Sequence, residues 1–292
     1  MSDIQREPEV VQNTVSLQKL RVSALFKAVS ILLGAFVVQF VASMFCLIGL
    51  AVYVMAVHGG DKESLVGTLG HIISDYTMVI SLVYAGIAIL WCGTLYFRWQ
   101  WREKPFPYRK ALGGKRIPGA VALGLGACII LTVIVGLGAQ VFPKAFEGYQ
   151  ELMDTLDISS SILTVPYVML LGPIAEEFIF RGVILDRLRP AFSFWIANAL
   201  QAALFGVFHM NLIQGLYAFA LGMILGLVVE VTGTVFASMA THITFNTTSI
   251  LLGILSDQAT SLYEQLFGGI IIAAALCFGA GMHYYVMEWK KR

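Results

Sequence analysis

Residues 172–182 read GPIAEEFIFRG, two adjacent glutamates and an arginine inside a run that is otherwise hydrocarbon. Whether that run crosses a membrane or fills a soluble core decides the fold. The chain has 292 residues, 58% hydrophobic and only 13% charged, against about 45–50% apolar usage in soluble domains. Uncharged apolar runs of about 18 residues or more recur along nearly its whole length, each long enough to cross a bilayer as a helix. The expectation is an all-α, polytopic membrane protein, with the quoted stretch inside one of its spans.

Working outward, about eight transmembrane helices are expected, at 29–57, 76–97, 117–142, 161–187, 191–211, 213–230, 234–255 and 266–288. Arg6, Lys19, Arg21 and Lys27 precede the first. Arg98, Arg102, Lys104, Arg109, Lys110, Lys115 and Arg116 fill the second loop, Arg187 and Arg189 the fourth, and Lys290, Lys291 and Arg292 close the chain. Positive charge marks cytoplasmic segments, so both termini are expected to face the cytoplasm. Trp99, Trp101, Phe106 and Tyr108 beside the second loop's charges read as interfacial anchors. The expected organisation is a cytoplasmic tail over 1–28, a transmembrane pair with its basic cytoplasmic loop over 29–116, and a transmembrane core over 117–292.

Several function classes fall away. A net charge of +1 without a basic stripe gives no basis for nucleic acid as a partner. The lipid bilayer is the implied environment, and no sequence feature assigns an oligomeric state. Cys46, Cys92, Cys128 and Cys277 lie in apolar segments without a CxxC pair and read as small hydrophobes. No lipidation motif is visible, and the first apolar run is too long for a signal-peptide core, so it is expected to stay as the first span. Gly222 and Gly226 form a GxxxG, read as helix packing.

Ionisable groups inside spans carry a penalty of about 2.5–3.5 kcal/mol each on insertion scales, which makes them default candidates for function. They gather on three spans: Glu176, Glu177 and Arg181 on the fourth, His209 on the fifth, His242 and Asn246 on the seventh. At about 100° per residue, Glu177 and Arg181 lie about 40° apart and can neutralise each other, while Glu176 points about 100° away. The pair is either a structural salt bridge or a substrate contact. Glu176 needs a partner from another helix, and Gly172 and Pro173 would loosen the helix just before it. Phe205 and His209, like His242 and Asn246, are i,i+4 neighbours sharing a face. Phe205 alone reads as core. Together the set supplies the residue types of a general base, a water-orienting imidazole and a pair of oxyanion donors. Two histidines and a glutamate, here His209, His242 and Glu176, would equally form a hydrolytic zinc site.

Glu176-Glu177-x-x-x-Arg181, Phe205-x-x-x-His209 and His242-x-x-x-Asn246 resemble, in order and spacing, the three motifs of the intramembrane endopeptidases grouped as CAAX proteases and bacteriocin-processing proteins (CPBP/ABI). That family includes the Ras-converting CAAX prenyl endopeptidase. The likeness covers about residues 160–255. It implies hydrolysis of a peptide bond of a peptide or protein substrate in or at the membrane. Glu176 would be the base that activates water and His209 would share that water. His242 and Asn246 would stabilise the oxyanion, with Glu177, Arg181 and Phe205 supporting. The mechanism implied is either metal-free or zinc-dependent, and bacterial relatives imply a bacterial cell membrane and roles such as bacteriocin immunity. A catalytically silent scaffold on the same fold is the competing reading. A proton-coupled transporter is disfavoured, since no inverted repeat or pair of broken helices is seen.

Depth along the helices raises one difficulty. At about 1.5 Å per residue, Glu176 lies about 16 Å and His242 about 12 Å from the expected cytoplasmic ends, but His209 lies about 20–28 Å in. Span five must therefore tilt strongly or begin later than Pro190, near Trp195.

Overall fold

The structure, a computed structural model, describes residues 6–58, 62–100, 113–155 and 163–291. Among them are nine helices and no strand: α1 (Arg6–His58), α2 (Lys62–Gln100), α3 (Arg116–Val141), α4 (Pro143–Thr155), α5 (164–188), α6 (Phe194–Phe208), α7 (Leu212–Thr232), α8 (Val235–Gln258) and α9 (Thr260–Lys290). Five stretches are long and apolar enough to cross a membrane: Ser16–Tyr53 of α1, Thr77–Arg98 of α2, and all of α3, α7 and α9. The chain is an integral, multi-pass membrane protein.

The other three expected spans are helices as well, each departing from a plain apolar rod for a visible reason. α5 is broken into short α and π stretches. α6 has 15 residues, about 22 Å of helix against a hydrocarbon core of about 30 Å. α8 carries Ser238, Thr241, His242, Thr244 and Asn246. Two features were not expected. α1 is continuous from Arg6 through the tail assigned to 1–28, and α4 is an amphipathic helix in the third loop. The loop anchors Trp101, Phe106 and Tyr108 lie outside the described residues. So does the side chain of Trp99.

Small residues set the helix spacing. Ala24, Ala28, Leu32, Ala35 and Ala42 of α1 share one buried cluster with Ala85, Ala88 and Cys92 of α2, the close packing that association in lipid depends on. α2 in turn packs on α5, with the Tyr96 ring 5.7 Å from Phe178. On the other side, a Cβ at Gly124 of α3 would stand 2.3 Å from the Thr241 carbonyl of α8. Only glycine lets α3 press against the turn that precedes His242.

α6 and α7 form the tightest hairpin. Gly206 faces Gly215 backbone to backbone, and Gly222 faces Ala202. The Asn198 amide donates to the Met223 carbonyl at 2.9 Å, and Gln201 donates to the Gly222 carbonyl at 2.9 Å. The turn between them is short: Met210 takes a left-handed φ of 54°, and Asn211 caps α7 by accepting from the Gln214 N–H at 3.0 Å. α6 therefore stops at Phe208 and delivers His209 at its C-terminal cap. It starts at Phe194, because Ser193 is still extended. Gly233, at φ 74°, ends α7, and Thr234 caps α8, which sets the register of His242. Trp195 and Trp289 meet at 5.1 Å, Arg189 lies 5.5 Å over Phe194 and pairs with Glu230 at 2.8 Å. One end of the bundle thus collects the aromatics and charges that a membrane interface attracts.

Gly226 tests the hairpin. A Cβ there would come 1.8 Å from Asn198 Oδ1, so Gly226→Ala is expected to destabilise by about 1–3 kcal/mol through overpacking. Gly253→Ala, at an open position, should stay within about 0.5 kcal/mol. Thermal unfolding of the two variants in detergent checks the contrast.

Candidate active site

The site is built where α5, α6 and α8 meet, and the irregularity of α5 begins it. In the π stretch Tyr167–Leu171 the Gly172 N–H bonds back five residues to the Tyr167 carbonyl. The same register would pair the Val168 carbonyl with residue 173, and Pro173 has no N–H to give. The Asn246 amide of α8 fills the gap, donating to the Val168 carbonyl at 2.7 Å. Asn246 therefore ties α8 to α5 beside the first glutamate. A second π stretch, Glu177–Ile184, follows after the α-helical Gly172–Glu176 and is wholly buried.

Inside it, Arg181 donates to Glu177 Oε1 at 2.9 Å, both side chains fully buried. The same oxygen lies 3.0 Å from His242 Nδ1. With the arginine holding Glu177 ionised, Nδ1 is the nitrogen that carries the proton and donates. That leaves Nε2 on the opposite edge of the ring, turned away from Glu177. Nε2 faces Glu176 Oε2 at 3.6 Å. This is too long for a direct hydrogen bond. A water or other hydroxyl bonded to both atoms would sit to one side of the line joining them. The Glu176 side chain retains 16% of its exposure, so the opening reaches the carboxylate.

The two glutamates thus converge on opposite nitrogens of one ring. The expectation that Glu176 draws its partner from another helix matches the geometry, and that partner is His242. Glu177, read from the sequence only as the partner of Arg181, also reaches His242, because the imidazole is wide enough to approach both neighbours.

Phe205 sits at the centre of this arrangement instead of serving only as packing. Its ring meets His209 edge-on at 4.8 Å and His242 at 5.8 Å, and the Arg181 guanidinium lies 4.4 Å from its centroid. Among the described residues Arg181 Nε and Nη2 have no hydrogen-bond partner. The aromatic face is what offsets that deficit. His209 donates Nδ1–H to the Phe205 carbonyl at 2.8 Å, which leaves its Nε2 free. No ion pair joins His209 to either glutamate among the described residues. No group of three or more His, Cys, Asp or Glu side chains there is placed to hold a metal ion.

Sequence reasoning missed three phenols in the electrostatic environment of Glu176. Tyr84 of α2, Tyr167 of α5 and Tyr217 of α7 all stand within electrostatic reach of its carboxylate. The only sequence signal was a tyrosine in an apolar helix, which says nothing about what it faces.

Residues 158–248 match the family described as type II CAAX prenyl endopeptidase Rce1-like. This segment contains every motif residue above. That segment is similar to this endopeptidase family. The "Putative membrane peptidase YdiL" of Bacillus subtilis (strain 168) is 24% identical over 132 residues, covering 43% of this chain and 53% of the relative. The chain thus spans about half the length of that curated relative. No solved structure matches.

The geometry of this core generates two stability predictions. Glu177→Gln leaves Arg181 buried without a counter-charge and should destabilise by about 3–5 kcal/mol. The part-exposed neighbour Glu176→Gln should stay within about 1 kcal/mol. Chemical unfolding of both variants in the same detergent reads the difference. Separately, Asn246→Ala should lose about 1–3 kcal/mol by orphaning the Val168 carbonyl. In a Pro173→Ala background, where an N–H returns, the loss should shrink by about 1 kcal/mol. A double-mutant cycle measures that coupling.

Proposed function

We propose that the chain is an intramembrane endopeptidase in which Glu176 acts as the general base. The observation that carries this reading is the 3.6 Å approach of Glu176 Oε2 to His242 Nε2, with Glu177 holding the opposite nitrogen at 3.0 Å. A water held by that pair gives one proton to Glu176 as its oxygen attacks the scissile carbonyl carbon. That attack forms the C–O bond and a tetrahedral oxyanion; Glu176 then passes the proton to the amide nitrogen, and the C–N bond breaks as the intermediate collapses to a carboxyl group and a free amine. His242 orients the water through Nε2 and is itself oriented by the Glu177–Arg181 pair. His209, with its free Nε2 at the end of α6, is placed to meet the bound chain. Every step uses protein groups alone.

The substrate is a membrane-associated peptide or protein segment, and the apolar surroundings of the carboxylate exclude water from all but the site opening. With the positive loops cytoplasmic, both termini face the cytoplasm and the site opens to that half of the bilayer. The Bacillus relative fits a bacterial cell membrane as the location.

Glu176→Gln tests the proposal, because it preserves shape and removes the base. Mass spectrometry of membrane peptides from cells carrying wild-type or Glu176→Gln protein should show at least one cleaved terminus lost in the variant. The rate for that peptide should fall by about 10²- to 10⁴-fold, the range for a positioned general base. Unchanged termini at equal protein levels would instead make the chain a non-catalytic scaffold on this fold, as an immunity protein would be.

A further inference from the structure

We infer that Gln201 of α6 is a positioning residue for the buried charged pair: through one buried water beside Gly222 it holds the Arg181 guanidinium, which in turn holds Glu177 against His242. The placement stands on how α5, α6 and α7 pack. Only its effect on rate rests on the endopeptidase reading.

Arg181 uses Nη1 on Glu177 Oε1 at 2.9 Å. Phe205 covers a face of the planar guanidinium, but the N–H bonds lie in the plane, and Nη2 has no hydrogen-bond partner among the described residues. That edge borders α7, because Nη2 lies 3.2 Å from where a Cβ at Gly222 would stand. The first glycine of the GxxxG therefore admits Ala202 of α6 and also leaves a cationic donor beside bare backbone.

Gln201 reaches the same glycine from α6. Its Nε2 donates to the Gly222 carbonyl at 2.9 Å and to Asn198 Oδ1 at 2.8 Å. Asn198 gives its own amide hydrogen to the Met223 carbonyl, so both groups facing Nε2 are acceptors and the Gln201 amide cannot be turned round. Its Oε1 is left on the other side, fully buried and without a partner among the described residues. An unpaired charged donor and an unpaired acceptor thus border one glycine, and buried groups of this kind persist where something else completes them.

A water that accepts from Arg181 Nη2 and donates to Gln201 Oε1 completes both. Its second hydrogen suits Glu177 Oε2, the unpaired oxygen of the carboxylate bonded to the same guanidinium. Roughly three such bonds is the usual complement of a buried water. With Nη1 and Nη2 both held, the guanidinium cannot swing within its plane, and the Glu177 oxygen that meets His242 Nδ1 is held with it.

Moving the counter-charge tests the placement. Glu177→Gln, Gln201→Glu and the double variant are compared by thermal unfolding of the full-length protein in detergent. A carboxylate at position 201 that faces Arg181 replaces the one removed at 177, so the double variant should unfold at a higher temperature than Glu177→Gln. If Gln201 only braces α7, the new carboxylate is a second buried charge without a partner; a double variant that unfolds at or below the temperature of Glu177→Gln, or fails to fold, overturns the placement. The water is measured in the wild-type protein itself. Proton NMR, with Arg181 assigned through its contacts to the Phe205 ring, should show magnetisation transfer between the guanidinium hydrogens and a long-lived water, and absence of that transfer overturns the bridge. Gln201→Met keeps the length and removes the acceptor; its kcat on the peptide identified through the Glu176→Gln comparison should fall by about 10- to 100-fold, with KM within about threefold, as for partners that orient a reacting group from behind. An unchanged kcat overturns the positioning role and leaves the endopeptidase reading intact. A wild-type protein with no Glu176-dependent cleavage overturns that reading, and the unfolding and NMR results then decide the placement by themselves.

Discussion

Arg181 cannot shed its proton and, fully buried in α5, cannot reach water. Glu177 one turn earlier must therefore stay ionised beside it, 2.9 Å away. The rest of the site depends on that constraint. The oxygen that neutralises the guanidinium also receives His242 Nδ1, so the tautomer of the imidazole is settled by a charge that has no other place to go. The opposite nitrogen then faces Glu176. A salt bridge of this kind is weak evidence for stability, since its desolvation offsets most of its attraction. Its value here lies in orientation: it turns one histidine and leaves the adjacent carboxylate unneutralised.

Helix irregularity and small residues make this possible. The π stretches of α5 place two neighbouring glutamates where one imidazole meets both, and Pro173 leaves a carbonyl that Asn246 uses to bind α8 to α5. Gly124 lets α3 press on α8 at Thr241, and the Gly206–Gly215 and Gly222–Ala202 contacts hold α6 against α7. The family-matched segment supplies the charged groups, and α2 packs against it through Tyr96 and Phe178.

Much of this was legible in the sequence, and the remainder was hidden for identifiable reasons. Apolar run length and the lysine and arginine loops marked the membrane helices, because hydrocarbon admits few alternatives to a helix. The Glu177–Arg181 pair was legible because i,i+4 spacing is a local property. The shared imidazole was not: an angle around one helix says nothing about the width of a ring arriving from another. Asn246 was read as an oxyanion donor, and its bond to Val168 depends on a π register that ideal α geometry omits. The depth of His209 pointed to a later start for span five near Trp195, and α6 indeed begins at Phe194. Tyr84 depends wholly on how α2 packs and left no trace in spacing. The amphipathic α4 was overlooked because only the long apolar runs were read as helices.

The central claim is that Glu177 fixes His242 with its proton on Nδ1 and its lone pair towards Glu176. Nitrogen NMR of the full-length protein in detergent, with labelled histidine and His242 assigned by its substitution, measures that proton directly. The account predicts a protonated Nδ1 and an unprotonated Nε2 at neutral pH, with the preference lost in Glu177→Gln. An Nε2-protonated ring in the wild-type protein, unchanged by Glu177→Gln, would contradict it.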